Sequence, residues 1–154
     1  MTAYSPKKFS LVISNPLLNI NHTVLDYEKE SSINVVYNTE NSALRMGAQG
    51  EFMRVVSADQ SAVITISLLH KSDSNSLLND IYNIDKTTGG NGTFTLSLND
   101  SNPLGNGNTM LGSSSSASIK KYADYGVDGT ENADTTTRAW ELQAGLWIWQ
   151  SKAA

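Results

Sequence analysis

Two histidines and no cysteine set how little catalytic chemistry this 154-residue chain can offer. Without a thiol there is no disulfide, no thiolate metal site and no cysteine nucleophile. His22 lies in a polar stretch, His70 ends an apolar run, and no spacing draws them to a shared site. A hydrolase needs a nucleophile, a base and a group that orients the base; no G-x-S-x-G turn occurs. Gly47-Ala48-Gln49-Gly50 lacks the Lys and Ser/Thr of a phosphate loop, so its glycines are read as a turn. Asp124–Glu131 is a poor calcium loop, with Gly126 at the third ligand position and Thr135 at the twelfth. Asp128-Gly129 is read as a solvated turn. No catalytic residue, metal or cofactor is expected.

The surface chemistry is neutral. Eleven basic against fifteen acidic residues leave a net charge of −4, and Lys7-Lys8 and Lys120-Lys121 are too small for a nucleic-acid patch. Charged residues are 17% of the chain, below the ~25% usual in soluble domains. Polarity comes instead from 20 Ser, 13 Thr and 15 Asn. That composition suits repeated protein–protein contact, where each buried charge needs a partner. It equally suits a β domain with Ser- and Asn-rich turns. The length fits one domain, 1–154. The apolar run Phe9–Ile13 ends at Ser14, Asn15 and Pro16, too soon for a signal peptide. No window reaches the ~20 apolar residues of a membrane helix. A soluble, intracellularly made protein is expected, with the sequons at Asn21, Asn91 and Asn99 a by-product of composition.

The elements that position these residues are mostly strands. Period-two alternation places Phe9, Leu11 and Ile13 on one face, and likewise Ile33, Val35 and Tyr37. Ile64, Ile66 and Leu68 oppose Val63, Thr65 and Ser67; Phe94, Leu96 and Leu98 oppose Thr93, Thr95 and Ser97. Trp140, Leu142, Ala144, Leu146 and Ile148 form the longest such face. The fold is expected to be mainly β, an antiparallel sandwich or barrel. One short helix is predicted over 74–85, where Leu77, Ile81 and Ile84 recur at helical spacing. Asp73 or Ser74 would cap it, Thr87–Gly90 would stop it, and its stripe would close one end of the barrel. The Gly/Ser/Asn-rich stretch 99–118 reads as an excursion between strands, with part of Thr109–Ile119 pairing. Trp140 is read as core. Trp147 and Trp149 fall on the opposite face and are read as exposed, either packed under the chain's own N-terminal segment or in contact with another subunit.

Three stretches carry a resemblance. The first is Gly47-Ala48-Gln49-Gly50-Glu51 with Ser57–Ser61 leading into the strand that ends at Leu69. Lys71–Leu78 then opens the helix, and Arg138-Ala139-Trp140-Glu141-Leu142 closes the series. In this order and spacing the chain resembles the tail tube proteins of contractile-tailed bacteriophages, and is similar in architecture to the type VI secretion tube protein. The resemblance spans roughly Phe9 to Trp149. Two departures are the ending Trp149–Ala154, where the family often has a glycine-rich tail, and the long excursion.

The resemblance implies a structural virion protein and not an enzyme. Six copies would form a ring, and rings would stack into a tube that conducts DNA during ejection. With four strands per subunit, a strand spacing of ~4.8 Å and tilts up to ~45° give a barrel roughly 37–52 Å across, wide enough for a duplex. Implied partners are copies of itself, the tail sheath protein, the baseplate tube initiator and the tail terminator. The tape measure protein and DNA would pass through without specific binding, and no membrane is involved. Localisation would be the tail tube of the virion, and the host cytoplasm during assembly. The Gly47, Ala48, Gln49, Gly50, Glu51, Phe52 and Met53 region would reach an adjacent ring. Val63, Thr65 and Ser67 are candidates for the lumen, and Trp147 and Trp149 for a subunit or partner contact. A tailocin or secretion-system tube is an alternative, as is a carbohydrate-binding β-sandwich using Trp147 and Trp149.

Overall fold

Alternation of apolar and polar side chains makes one face of each strand a hydrophobic strip, and the strips meet when strands pair side by side. The computed structural model describes residues 9–24, 33–69, 72–101, 109–125 and 137–152. The strands are β1 (Phe9–Asn15), β2 (Ile20–Thr23), β3 (Ile33–Tyr37), β4 (Ser42–Met46), β5 (Phe52–Val56) and β6 (Ala62–Leu69). After helix α1 (Asp73–Thr88) come β7 (Phe94–Ser101), β8 (Thr109–Lys121), β9 (Thr137–Ala144) and β10 (Ile148–Lys152). The main sheet is antiparallel, in the order β2-β1-β7-β8-β9-β6-β3, with β10 also on β8; β4 and β5 form a separate two-stranded sheet. Among the described residues the fold is mainly β with one α-helix, as the sequence pattern predicts.

One face of the large sheet is the core. Leu11, Ile13, Ile64, Ile66, Leu68, Leu96, Trp140 and Leu142 are fully buried there, with Leu78 and Ile81 of α1. Each such side chain contributes about 1.5–3 kcal/mol relative to exposure. Helix and sheet are also joined by polar bonds. The indole Nε1–H of buried Trp140 donates to Asn75 Oδ1 at 2.9 Å, and Asn75 Nδ2 donates to the Leu69 carbonyl at 2.9 Å. Tyr122 stacks edge-on against both Trp140 and Tyr82. The buried Arg138 guanidinium lies over the rings of Tyr125 and Trp140, so the Arg138-x-Trp140 spacing is a core device.

The helix is longer than its sequence pattern. Ser72 caps it, accepting from Ser74 N–H, while Asp73 already lies in the first turn. At the other end the Thr87 and Thr88 hydroxyls bond back to the Asn83 and Ile84 carbonyls instead of breaking the turn. Termination falls to Gly89, in the left-handed conformation at φ 71°.

Two expectations are corrected. The pairing expected in part of Thr109–Ile119 is present and extends over all of β8, so the 99–118 excursion is shorter than read: β7 runs to Ser101, β8 starts at Thr109, and 102–108 lies outside the described residues. The Ser run pairs because β8 has neighbours on both sides. The long closing face is also interrupted. Ala144 is buried, but Leu146 and Ile148 are exposed, and Trp147 turns inward with 0% exposure. An additional residue at Gly145–Leu146 reverses the alternation. β8 makes the same reversal beside it, with Ser114 buried, Ser115 and Ser116 exposed, and Ala117 buried. Here three β8 steps match two on β7. Because both strands shift together, their mutual register holds across the reversal, where Ala117 faces Ala144 and Ser113 faces Ile148, and it shifts only farther along, between Ile119 and Lys121.

Gly112 makes room for the inward tryptophan. A Cβ there would stand 2.3 Å from Trp147 Cζ2 and 2.8 Å from Trp149 Cζ3. Gly112→Ala is therefore expected to destabilise the unassembled chain by about 1–3 kcal/mol through overpacking. Urea unfolding followed by circular dichroism checks this, and an unchanged midpoint would show that the seat is slack.

Candidate functional site

The chain's unusual surface is the β4–β5 hairpin. Its strands pair from Ser42↔Val56 to Met46↔Phe52, and the turn closes with Gly47 N–H to the Glu51 carbonyl at 2.7 Å. Gly50 occupies φ 85°, a conformation that favours glycine. One face carries Leu44, Met46, Phe52 and Val56 around Arg54; the other carries Ala43, Met53 and Val55 around Arg45. Leu44 is 73% exposed and Phe52 69%. A lone two-stranded hairpin is marginal in water, and apolar patches of this kind mark contact surfaces.

The root of the hairpin is tied down, so the arm projects from a rigid base. Ser57 N–H donates to the Asn41 carbonyl at 2.8 Å, and Asn38 N–H to the Ser61 carbonyl at 3.0 Å. Between them the Thr39 hydroxyl donates to Asp59 Oδ2, and Ser61 N–H donates to Asp59 Oδ1 at 3.0 Å. Trp147 then grips both legs through its backbone. Its N–H donates to the Gln60 carbonyl at 2.9 Å, and its carbonyl accepts from Tyr37 Oη at 2.9 Å. Trp147, placed by the sequence either under its own N-terminal segment or against another subunit, is held inside its own chain, against Gly112 of β8. Trp149 is partly buried against it, ring edge to ring face.

The second surface is the side of the large sheet turned away from the core. Val63, Thr65 and Ser67 of β6 are partly exposed there. They stand opposite Gln143, Glu141 and Ala139 on β9, and Val63 and Thr65 also face Val36 and Asn34 on β3. Gln143 Nε2 donates to Ser118 Oγ at 3.1 Å across the next seam, and Ser97 pairs with Ser113 beyond it. Most side chains of the strip are uncharged, and Glu141 in the Thr65 row faces Lys121 of β8.

The candidates for chemistry disperse. His22 Nε2 shares a 2.8 Å hydrogen bond with Ser74 Oγ at the helix start, while His70 lies outside the described residues. Of the Asp124–Glu131 stretch only Asp124 and Tyr125 are described, and the Tyr125 ring covers Arg138. The tie at the hairpin root is the feature that sequence reading missed; Asx and Ser turns at Ser57-x-Asp59-x-Ser61 were its signal.

Comparison with known proteins gives a consistent result. The family described as the bacteriophage PhiTE tail tube protein matches residues 24–145. A structural protein, ORF10, of Pseudomonas phage KPP10 is 26% identical over 100 residues, which are 64% of this chain and 58% of that protein. The match therefore spans little more than half of that relative's length. Among solved structures, the terminating cap of the anti-feeding prophage tube aligns with a TM-score of 0.64 at 12% identity, covering 98% of this chain and 93% of that one. The sheath/tube terminator of the PVC extracellular contractile injection system gives 0.63 at 16% identity, covering 97% and 98%. A chain of the PVC sheath–tube complex gives 0.59 at 15%, covering 97% and 92%. These structures share the fold.

The tie makes a pH prediction. The Thr39 hydroxyl and then the Ser61 amide stabilise the charged Asp59 carboxylate, holding it below its ordinary value of 3.8. A depressed carboxyl supports the fold at neutral pH and loses that support as pH falls through its lowered range. NMR titration of the Asp59 carboxyl carbon should show a depressed midpoint that Thr39→Val returns toward normal. A wild-type midpoint at or above the ordinary value would contradict the tie.

Proposed function

Because the chain belongs to the bacteriophage PhiTE tail tube family, we propose that six copies form a ring and that rings stack into the tube of a contractile phage tail, conducting DNA during ejection. The observation that carries this reading is the projecting hairpin, apolar on both faces and rigid at its root. Its most economical cover is another copy, since a homo-oligomer supplies the complementary surface at every site. Residues 47–53 form its tip and reach the adjacent ring.

The outer sheet face is the wall of the conduit, and Lys121 in the Thr65 row stands opposite Glu141 and not alone. Lysine or arginine there would hold phosphates and release counterions, so that DNA would stick during passage. Val63, Thr65 and Ser67 offer no charge, and the chain's net −4 keeps the ring as a whole negative. Sheath protein, baseplate initiator and terminator meet the tube at its outside and ends, and the tape measure protein occupies the lumen before DNA. The assembled protein resides in the virion, after assembly in the host cytoplasm. Its work is mechanical.

Negative-stain electron microscopy of the purified protein over a range of concentrations tests the assembly. Six-fold rings and hollow tubes are expected. Monomers at every concentration, even when a preformed tube end is supplied, would contradict it; so would rings that never stack. Replacing exposed Leu44 and Phe52 together by Ser should change stability by only about 0.5 kcal/mol per site yet abolish tubes. Thr65→Lys with Ser67→Lys should leave tubes intact but slow genome release from particles. Release at the wild-type rate would remove these residues from the lumen.

A further inference from the structure

The hairpin brings an arginine out into solvent, and the same chain holds a carboxylate short of a partner. Arg45 and Arg54 are exposed on opposite faces of the hairpin, and Asp100 Oδ1 is buried without a hydrogen bond. Asp100 sits at the end of β7, opposite Met110 of β8, which in turn faces Ser151 of β10. The preceding row on the same face is Leu98, Gly112 and Trp149. Asp100 therefore stands at the rim of the core, beside the partly exposed Met110 and Trp149. An apolar rim with one acidic group is the complement of a hairpin face that carries one basic group among apolar side chains.

We propose that Arg54 on the hairpin of one copy pairs with Asp100 of a neighbouring copy, while Leu44 and Phe52 beside it cover Met110 and Trp149 at that rim. The pairing rests on the tube reading and names its contact residues. Arg54 is chosen over Arg45 because its face holds the larger apolar side chains, so the ion pair would be drier and better shielded. Arg54 lies three residues beyond the tie at Ser57, which places it about 10 Å out along the arm. Burial already pushes the Asp100 carboxyl above its ordinary value, the direction an arginine partner would reverse. The contact is heterologous, arm to rim, and so can repeat from copy to copy without using up either surface.

Charge exchange tests it. Asp100→Arg and Arg54→Asp, each alone, should lower the assembled fraction at least tenfold in a sedimentation assay, with unchanged circular dichroism. The double exchange should restore assembly to within threefold of wild type. Rescue of Asp100→Arg by Arg45→Asp but not by Arg54→Asp would overturn the assignment, as would single variants that assemble normally. The absence of cysteine permits a second readout that does not depend on the exchanged charges. Arg54→Cys mixed with Asp100→Cys subunits should be joined by a short bis-maleimide inside tubes, and lack of cross-linking in well-formed tubes would overturn the contact. Wild-type protein that forms no tubes would overturn the tube reading itself, and with it the pairing. Wild-type tubes without rescue would overturn the pairing alone.

Discussion

Trp147 joins what would otherwise be separate parts of the molecule. Its side chain fills a seat against Gly112 in the core, and its backbone holds Gln60 and Tyr37 at the two legs of the hairpin. The arm's direction is thereby referred to the core, not to a free loop. This arrangement depends on the paired reversal of alternation in β8 and at Gly145–Leu146. Without it Trp147 would face outward and the legs would lose their anchor. Two adjacent strands with matched irregularities keep their register while changing which side chains they bury.

Much of the fold was legible because it is set by alternation. Ile64, Ile66 and Leu68, or Phe94, Leu96 and Leu98, can satisfy only one face, and the structure buries those residues. The closing strand was not legible, for a physical reason. From Trp140 to Trp149 apolar residues occupy both phases, so the letter pattern supports either face once Gly145 allows a change. A glycine within a strand is the available warning. The Ser-rich stretch misled in a similar way: its residues are loop-like in propensity, but strands on both sides override that preference. The hairpin was placed by resemblance, and its apolar faces explain why such a segment needs company.

The two surfaces have opposite chemistry, and each suits a distinct task. The arm is apolar with isolated arginines, which favours burial against a surface of matched shape and charge. The sheet's outer face is mostly uncharged and polar, with Glu141 facing Lys121, which suits the conduit wall we propose. In the closed assembly we propose, neighbouring copies would protect strand edges from indiscriminate pairing.

The central claim is that another copy of the chain covers the hairpin. Hydrogen–deuterium exchange on isolated subunits and on assembled tubes measures this directly, peptide by peptide. The account predicts that amides of residues 42–56 exchange rapidly in the isolated chain and become strongly protected in tubes, while those of β7, already paired on both sides, change little. Equal, rapid exchange across 42–56 in both states would contradict it.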